Sequence, residues 1–211
     1  MSIPCFRYHP TTEWILLKLG RFWRMLAHSH AQVLNSSKLS DSMGVSSHTI
    51  RKYIDLLEQT FMVRVLPPYA GNVKKRLVKS PKVYIRDSGI LHSLLNIETI
   101  ENLFANPIYG ASFEGFVMEN ILVHLPRWQA SYYRTANGAE IDLILTKGSE
   151  TIAIEIKSST SPKASKGFWT SITEIFPDQS LIIAPVEDEY PISKDVFIKP
   201  LHIFIEQMKN N

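Results

Sequence analysis

One cysteine, Cys5, in 211 residues leaves no partner for an internal disulfide and no thiol set for zinc. No apolar run approaches the ~18 residues that a membrane-spanning helix needs. The first 25 residues carry Arg7, Glu13, Lys18, Arg21 and Arg24 where a secretory signal would have an uninterrupted apolar core. No G-x-x-x-x-G-K-[ST] occurs, so ATP binding or hydrolysis through a P-loop is not expected. Internal repeats and low-complexity tracts are absent too. These absences leave a chain expected to be soluble and cytoplasmic, with no membrane partner and no small-molecule cofactor. At 45% hydrophobic and 20% charged residues, it has enough apolar surface for one or two cores.

The net charge of +3 is unevenly spread, with +8 over residues 1–100 and −5 over residues 101–211. Opposite halves suggest two modules, one attractive to phosphates and one rich in carboxylates. The plainer alternative is that the halves attract each other.

The basic half reads as helices first. Thr12 to Leu26 sets Trp14, Leu17, Phe22, Met25 and Leu26 near one helical face. Asn35 to Met43 has a polar start that can cap a short helix, and Gly44 stands where that helix would stop. Ser46 then caps a second helix whose apolar stripe is Ile50, Tyr53, Ile54 and Leu57, leaving Ser47, His48, Arg51 and Lys52 outside. A short helix, a tight turn and a helix with a polar, basic start form a helix-turn-helix. Phe61 to Leu66 reads as a strand and 67–72 as a turn. Lys74, Lys75, Arg76, Lys79, Lys82 and Arg86 follow with no acid between residues 71 and 86, and 82–85 reads as a returning strand. The whole predicts a winged helix-turn-helix over 1–95, its wing lying along a phosphate backbone and binding DNA with strong salt dependence. The candidate DNA contacts are Ser47, His48, Arg51, Lys52, Lys74, Lys75, Arg76 and Lys79. A winged helix used solely for protein contacts is the alternative. Ser88 reads as the cap of a further helix, and His28 with His30, two apart on a helix, diverge too far to share a metal.

Residues 96–110 read as a polar connector and 111–211 as the second module. Ser112 to Leu125 forms an amphipathic helix with Phe113, Phe116, Val117 and Ile121 as core candidates. Strand-like runs at 130–134, 140–145 and 151–157 are separated by Asn137-Gly138 and Lys147-Gly148, as hairpins require. A helix over 162–175 bears Phe168, Trp169 and Ile172, and 180–184 is a last short strand. The fold class is therefore α/β (α+β), with the order αβββαβ indicating a mixed sheet flanked by helices. Trp128, Tyr132 and Tyr133 are expected to pack rather than stack on bases.

The chemistry centres on Asp142, Glu155 and Lys157. Side chains alternate along a strand, so Glu155 shares a face with Lys157, and Glu140 shares one with Asp142. If the two strands pair, Asp142 and Glu155 can converge on one hard cation. Mg²⁺ favours such a site, with few carboxylates, retained waters and phosphate oxygens. Lys157 would orient a water or stabilise developing charge, and Glu114 could add a carboxylate from the preceding helix. A solvated sheet face explains the same charges more simply. Against that, Ile141, Leu143, Ile144 and Leu145, with Ile152, Ala153, Ile154 and Ile156, make both strands nearly continuous apolar runs, and such strands are buried.

Nearly the whole chain from about Arg21 resembles the C-terminal region of bacterial and archaeal AAA-superfamily ATP-binding proteins, a domain-of-unknown-function family. The stretches that carry the resemblance include LAHSHAQVLNSSKLSDSMGVSSHTIRKYIDLLEQTFMV, KSPKVYIRDSGILH, GASFEGFVMEN, YYRTANGAEIDLIL and AIEIKSS. The resemblance implies a winged helix joined to a PD-(D/E)xK restriction-endonuclease-like domain. It puts Asp142, Glu155 and Lys157 on metal and catalytic positions and Glu114 on the helical acid; Arg134 and Glu140 match recurring positions of no assigned role. Mg²⁺-dependent phosphodiester hydrolysis is the activity it implies. Because those relatives carry a P-loop ATPase that is missing here, the alternative is a non-catalytic DNA- or protein-binding module that partners a separate ATPase.

Overall fold

In the computed structural model, which describes residues 10–71 and 76–209 with side chains from residue 17 onward, apolar spacing builds the first core. Phe22, Leu26 and Ala27 of α1 (Pro10–Ala27) pack on Leu39 and Met43 of α2 (Ser36–Met43) and on Ile50, Ile54 and Leu57 of α3 (Ser47–Gln59). The Asn35 side chain accepts from the Lys38 N–H at 2.9 Å to start α2, and Ser46 accepts from the Thr49 N–H at 3.1 Å to start α3. Each such cap is worth about 1 kcal/mol. Gly44 closes α2 in the left-handed region. Strands β1 (Gln32–Val33), β2 (Val63–Leu66) and β3 (Lys82–Ile85) form an antiparallel sheet in the order β1-β3-β2.

Several local expectations need correction. Leu17 is 68% exposed, so the buried face of α1 begins beyond it. Phe61 does not open a strand. It takes φ 59° in the left-handed cap of α3, where the Phe61 N–H bonds to Glu58 O and the Met62 N–H to Leu57 O, and β2 starts at Val63. Asp87, not Ser88, caps α4 (Ser88–Leu94), because its carboxylate reaches the Ile90 N–H at 2.7 Å. The expected connector contains α5 (Ile100–Phe104), and α6 (Tyr109–His124) begins ahead of Ser112. Cys5, Lys74, Lys75 and the side chain of Trp14 lie outside the described residues.

The second sheet holds β4 (Gln129–Arg134), β5 (Glu140–Lys147), β6 (Glu150–Ile156), β7 (Gln179–Ile183), β8 (Tyr190–Ser193) and β9 (Val196–Lys199), ordered β4-β5-β6-β7-β9-β8. The first three strands run antiparallel through turns in which Gly138 and Gly148 take positive φ. Strand β7 joins β6 in parallel and β9 joins β7 in parallel, so the sheet is mixed. Helix α7 (Lys166–Ile175) starts after Pro162, with Ser165 as its cap, and covers one face through Phe168. Helices α6 and α8 (Leu201–Lys209) cover the other through Val117, Met118, Ile121, Phe204 and Ile205. Phe116 is 47% exposed and Met118 takes the core place expected for it.

Helix α6 must also face the first module, which is why its apolar stripe is displaced. His30 sits buried between them. Its Nδ1 accepts from the Ile85 N–H at 3.0 Å, so Nε2 carries the proton and donates to Ala111 O at 3.1 Å. Burial holds its pKa down at about 4. A Cβ on Gly115 would stand 2.5 Å from His30 Nε2, so only glycine lets α6 approach this closely. Leu66 and Tyr84 of the first sheet belong to the same apolar cluster as the α6 face of the second.

The β2–β3 connection does not project as a free wing. The Tyr69 N–H bonds to Tyr132 O at 2.7 Å and the Tyr132 N–H to Pro67 O at 3.0 Å. Farther along, the Val78 N–H bonds to Arg134 O at 2.9 Å and the Ala136 N–H to Arg76 O at 3.0 Å. Both arms of the excursion thus lie along β4, the outermost strand on that side. No described helix is long and apolar enough to cross a membrane.

Candidate functional site

The site begins as an irregularity in β5. Ser131 faces Ile144 but Tyr133 faces Ile141, so two steps along β4 match three along β5. The extra residue is a β-bulge. Alternation breaks accordingly: Ile141 and Ile144 join the cluster under α7, while Leu143 and Leu145 join the one under α6. Pairing of β5 with β6 ends at Leu143↔Ile154, so Asp142 and Glu155 are the next residues on each strand, where the two separate. The Asp142 carboxylate holds the gap by accepting from the Ile156 N–H at 2.9 Å.

The open end is a cavity of about 480 Å³ lined by Glu114, Glu140, Asp142, Glu155, Lys157 and Arg134, with Lys82 at its wall and Ser165 and Gly167 of the α7 start beside it. Lys157 Nζ lies 2.6 Å from Glu155 Oε1. Lys82 Nζ lies 2.7 Å from Glu140 Oε1, 3.2 Å from Glu114 Oε1 and 3.6 Å from Asp142 Oδ1. The Tyr84 hydroxyl donates to Glu114 Oε1 at 2.6 Å, and Arg134 reaches Glu140 Oε2 at 3.5 Å from the rim.

Four carboxylates thus share two buried or half-buried ammonium groups. Burial, then the neighbouring Asp142, push Glu114 up to about 8 despite Lys82 and Tyr84. Burial and then Asp142 likewise push Glu155 up to about 7, against the pull of Lys157. Asp142 is raised by burial, opposed by Lys82 and the Ile156 N–H. For Lys82 burial works downward, but Glu114, Asp142 and Glu140 reverse it and hold the amine charged. Lys157 follows the same pattern, with burial outweighed by Glu155, Asp142 and Glu114. Near neutral pH the pocket therefore retains protons that an added cation would displace.

The structure brings Glu114, Asp142, Glu155 and Lys157 to one pocket. Ser47, His48, Arg51 and Lys52 lie exposed along α3, and Arg76 and Lys79 are exposed on the covering segment. Two cations expected at the phosphate-facing wing are elsewhere. The side chain of Lys82 is only 3% exposed, inside the carboxylate pocket. Arg86 Nε bonds to Glu119 Oε2 at 2.9 Å, alongside Arg64, which grips the same carboxylate with both Nε and Nη2. Lys82 and Tyr84 are the residues that sequence reasoning misses. Lys82 and Tyr84 alternate on β3, and that spacing was the available signal that both point one way. Tyr132 and Tyr133 are fully buried packing groups, the Tyr133 hydroxyl donating to Glu174 Oε2 at 2.5 Å.

Residues 9–101 match the family model of a domain of unknown function, DUF8612, and residues 109–204 match that of a second, DUF4143. Uncharacterized proteins of Mycobacterium tuberculosis and Mycobacterium bovis are each 37% identical over 182 residues, covering 86% of this chain and 41% of their own length. An uncharacterized protein of Haemophilus influenzae is 26% identical over 137 residues, 62% of this chain and 32% of its own. The chain thus spans about two fifths of the mycobacterial relatives' length.

Proposed function

We propose that this chain is a DNA-binding protein in which a winged helix-turn-helix, built from α1 to α3 and β1 to β3, is joined to a restriction-endonuclease-like module with a PD-(D/E)xK phosphodiesterase site. The observation that carries the reading is the meeting of Asp142, Glu155 and Lys157 where β5 parts from β6. The donor set consists of hard oxygens, which suits Mg²⁺ or Mn²⁺. Among the described residues no three His, Cys, Asp or Glu are already grouped for an ion, a condition Mg²⁺ tolerates because it keeps several waters. Asp142 and Glu155 would hold the ion. When bound, it would supply an acidified water and neutralise charge on the scissile phosphate. Lys157 would stabilise charge developing on the phosphate oxygens, and Glu114, protonated in part near neutrality, would stand by as a proton donor. The exposed cations of α3 would hold the duplex backbone.

The test is divalent-dependent cleavage of linear, supercoiled and single-stranded DNA. Asp142→Asn and Lys157→Ala should each lower it by about 100-fold or more. Equal inertness of parent and variants across substrates and metals would sink the catalytic reading.

A second reading is favoured by Lys82, which already supplies an internal cation to three of the acids. In it the chain is a non-catalytic module that grips DNA or a protein and partners a separate ATPase. The resemblance to regions that follow ATPases and the longer mycobacterial relatives support such a partner. It requires salt-sensitive DNA retention without cleavage.

A further inference from the structure

Two ion-pair clusters cross between the modules, and their stoichiometry differs. At Glu119 two guanidinium groups, from Arg64 and Arg86, share one carboxylate. At Lys82 one ammonium is shared by three carboxylates, Glu114 from α6 and Glu140 and Asp142 from β5. The first has no spare negative charge. The second gathers hard oxygens from two separate elements around a single positive point, the kind of donor set that divalent cations take.

Lys82 cannot easily leave. Strand β3 lies between β1 and β2, paired at Lys82 to Val33 on one side and to Leu66 on the other. The ammonium sits 5.6 Å from the Tyr132 ring centroid, and the Tyr84 hydroxyl fixes Glu114 from the same strand. Three donors on an ammonium match the three acid oxygens around it. Lys157 is no substitute, since its own Nζ is held by Glu155. Arg134 touches Glu140 from the rim but reaches neither Glu114 nor Asp142 in any printed ion pair.

We infer that Lys82 fills a cation site built by Glu114, Glu140 and Asp142, so that the pocket admits at most one divalent ion, between Asp142 and Glu155, and that loss of the ammonium opens room for another. This rests on reading the pocket as metal-binding, but its test separates the two. With the ammonium gone, three buried acids must gain protons or a metal, because unpaired buried carboxylates are costly.

The experiment titrates Mn²⁺ into the full chain by calorimetry, with free Mn²⁺ followed by electron paramagnetic resonance, for the parent, Lys82→Met and Lys82→Arg. Methionine keeps the aliphatic reach without the charge. The expected result is one more Mn²⁺ bound by Lys82→Met than by the parent, with Lys82→Arg matching the parent. A parent that binds none and a methionine variant that binds one would remove the phosphodiesterase reading and keep this inference. A parent and a variant that bind the same number would do the reverse. Should Lys82→Met fold only when Mn²⁺ is added, as read by circular dichroism, the inference stands. Should it fail to fold with or without Mn²⁺, the inference falls, since a divalent ion then cannot take the ammonium's place.

Discussion

The cations of the first module follow two different courses. Those on α3, Arg51 and Lys52, project into solvent, whereas those on β2 and β3 or just after, Arg64, Lys82 and Arg86, turn inward onto acids of α6 and β5. A charge balance of +8 over residues 1–100 therefore overstates what a nucleic acid would meet. Part of it is spent holding the molecule together, and the alternative in which the halves attract each other is realised in the same chain that presents a basic helix. Charge of one sign in a sequence states an opportunity; burial decides which partner takes it.

Three changes would break or sharpen that contrast. The largest effect is expected from Glu119→Ala, which strands two guanidinium groups against an apolar boundary. It should cost about 2 kcal/mol, toward the low side for a broken buried pair because both arginines keep some solvent, and urea unfolding checks it. Next, Arg51→Ala with Lys52→Ala should weaken DNA retention several-fold and reduce the log–log salt slope by about 1–2. Arg64→Ala or Arg86→Ala should leave that slope unchanged in filter binding. If the inward arginines alter the slope as much as the outward pair, the contrast is wrong.

The smallest effect is one of pH. Glu114 and Glu155, raised to about 8 and about 7, bind more protons in the folded than in the unfolded chain. Their contribution to stability is fully present below the ordinary carboxylate range and is lost as pH rises through 7 and 8. His30, held at about 4, acts oppositely, adding stability as pH rises from its folded value toward the ordinary imidazole value of about 6.5. Between about pH 6.5 and 8 the carboxyls act alone, so the melting temperature should decline there. Glu114→Gln should flatten that decline in a calorimetric pH series.

What the sequence made legible was local. Asn35, Gly44 and Ser46 announced the ends of α2 and α3 because caps act within four residues. Gly138 and Gly148 marked both hairpins of the antiparallel strands, and the apolar stripe of α3 was nearly complete. Asp142, Glu155 and Lys157 could be named from strand alternation. Their meeting place could not, since it depends on a bulge visible only against β4. Lys82 reads as one more cation of a basic stretch, and nothing nearby says that its neighbours will be acids 32 and 60 residues away. Strands β8 and β9 escaped notice for a related reason. Pro191 and the acids at 187–189 look like a loop, and pairing with a distant strand overrides that local signal.

The docking of residues 67–69 and 76–78 against β4 has a practical corollary. A fragment cut at the apparent border near residue 100 would present the bare backbone of β4 as a template for other chains. It would also keep acids whose countercharge had been left behind on the discarded piece. The border marks a change of architecture but not a place to cut, and the two parts travel as one unit.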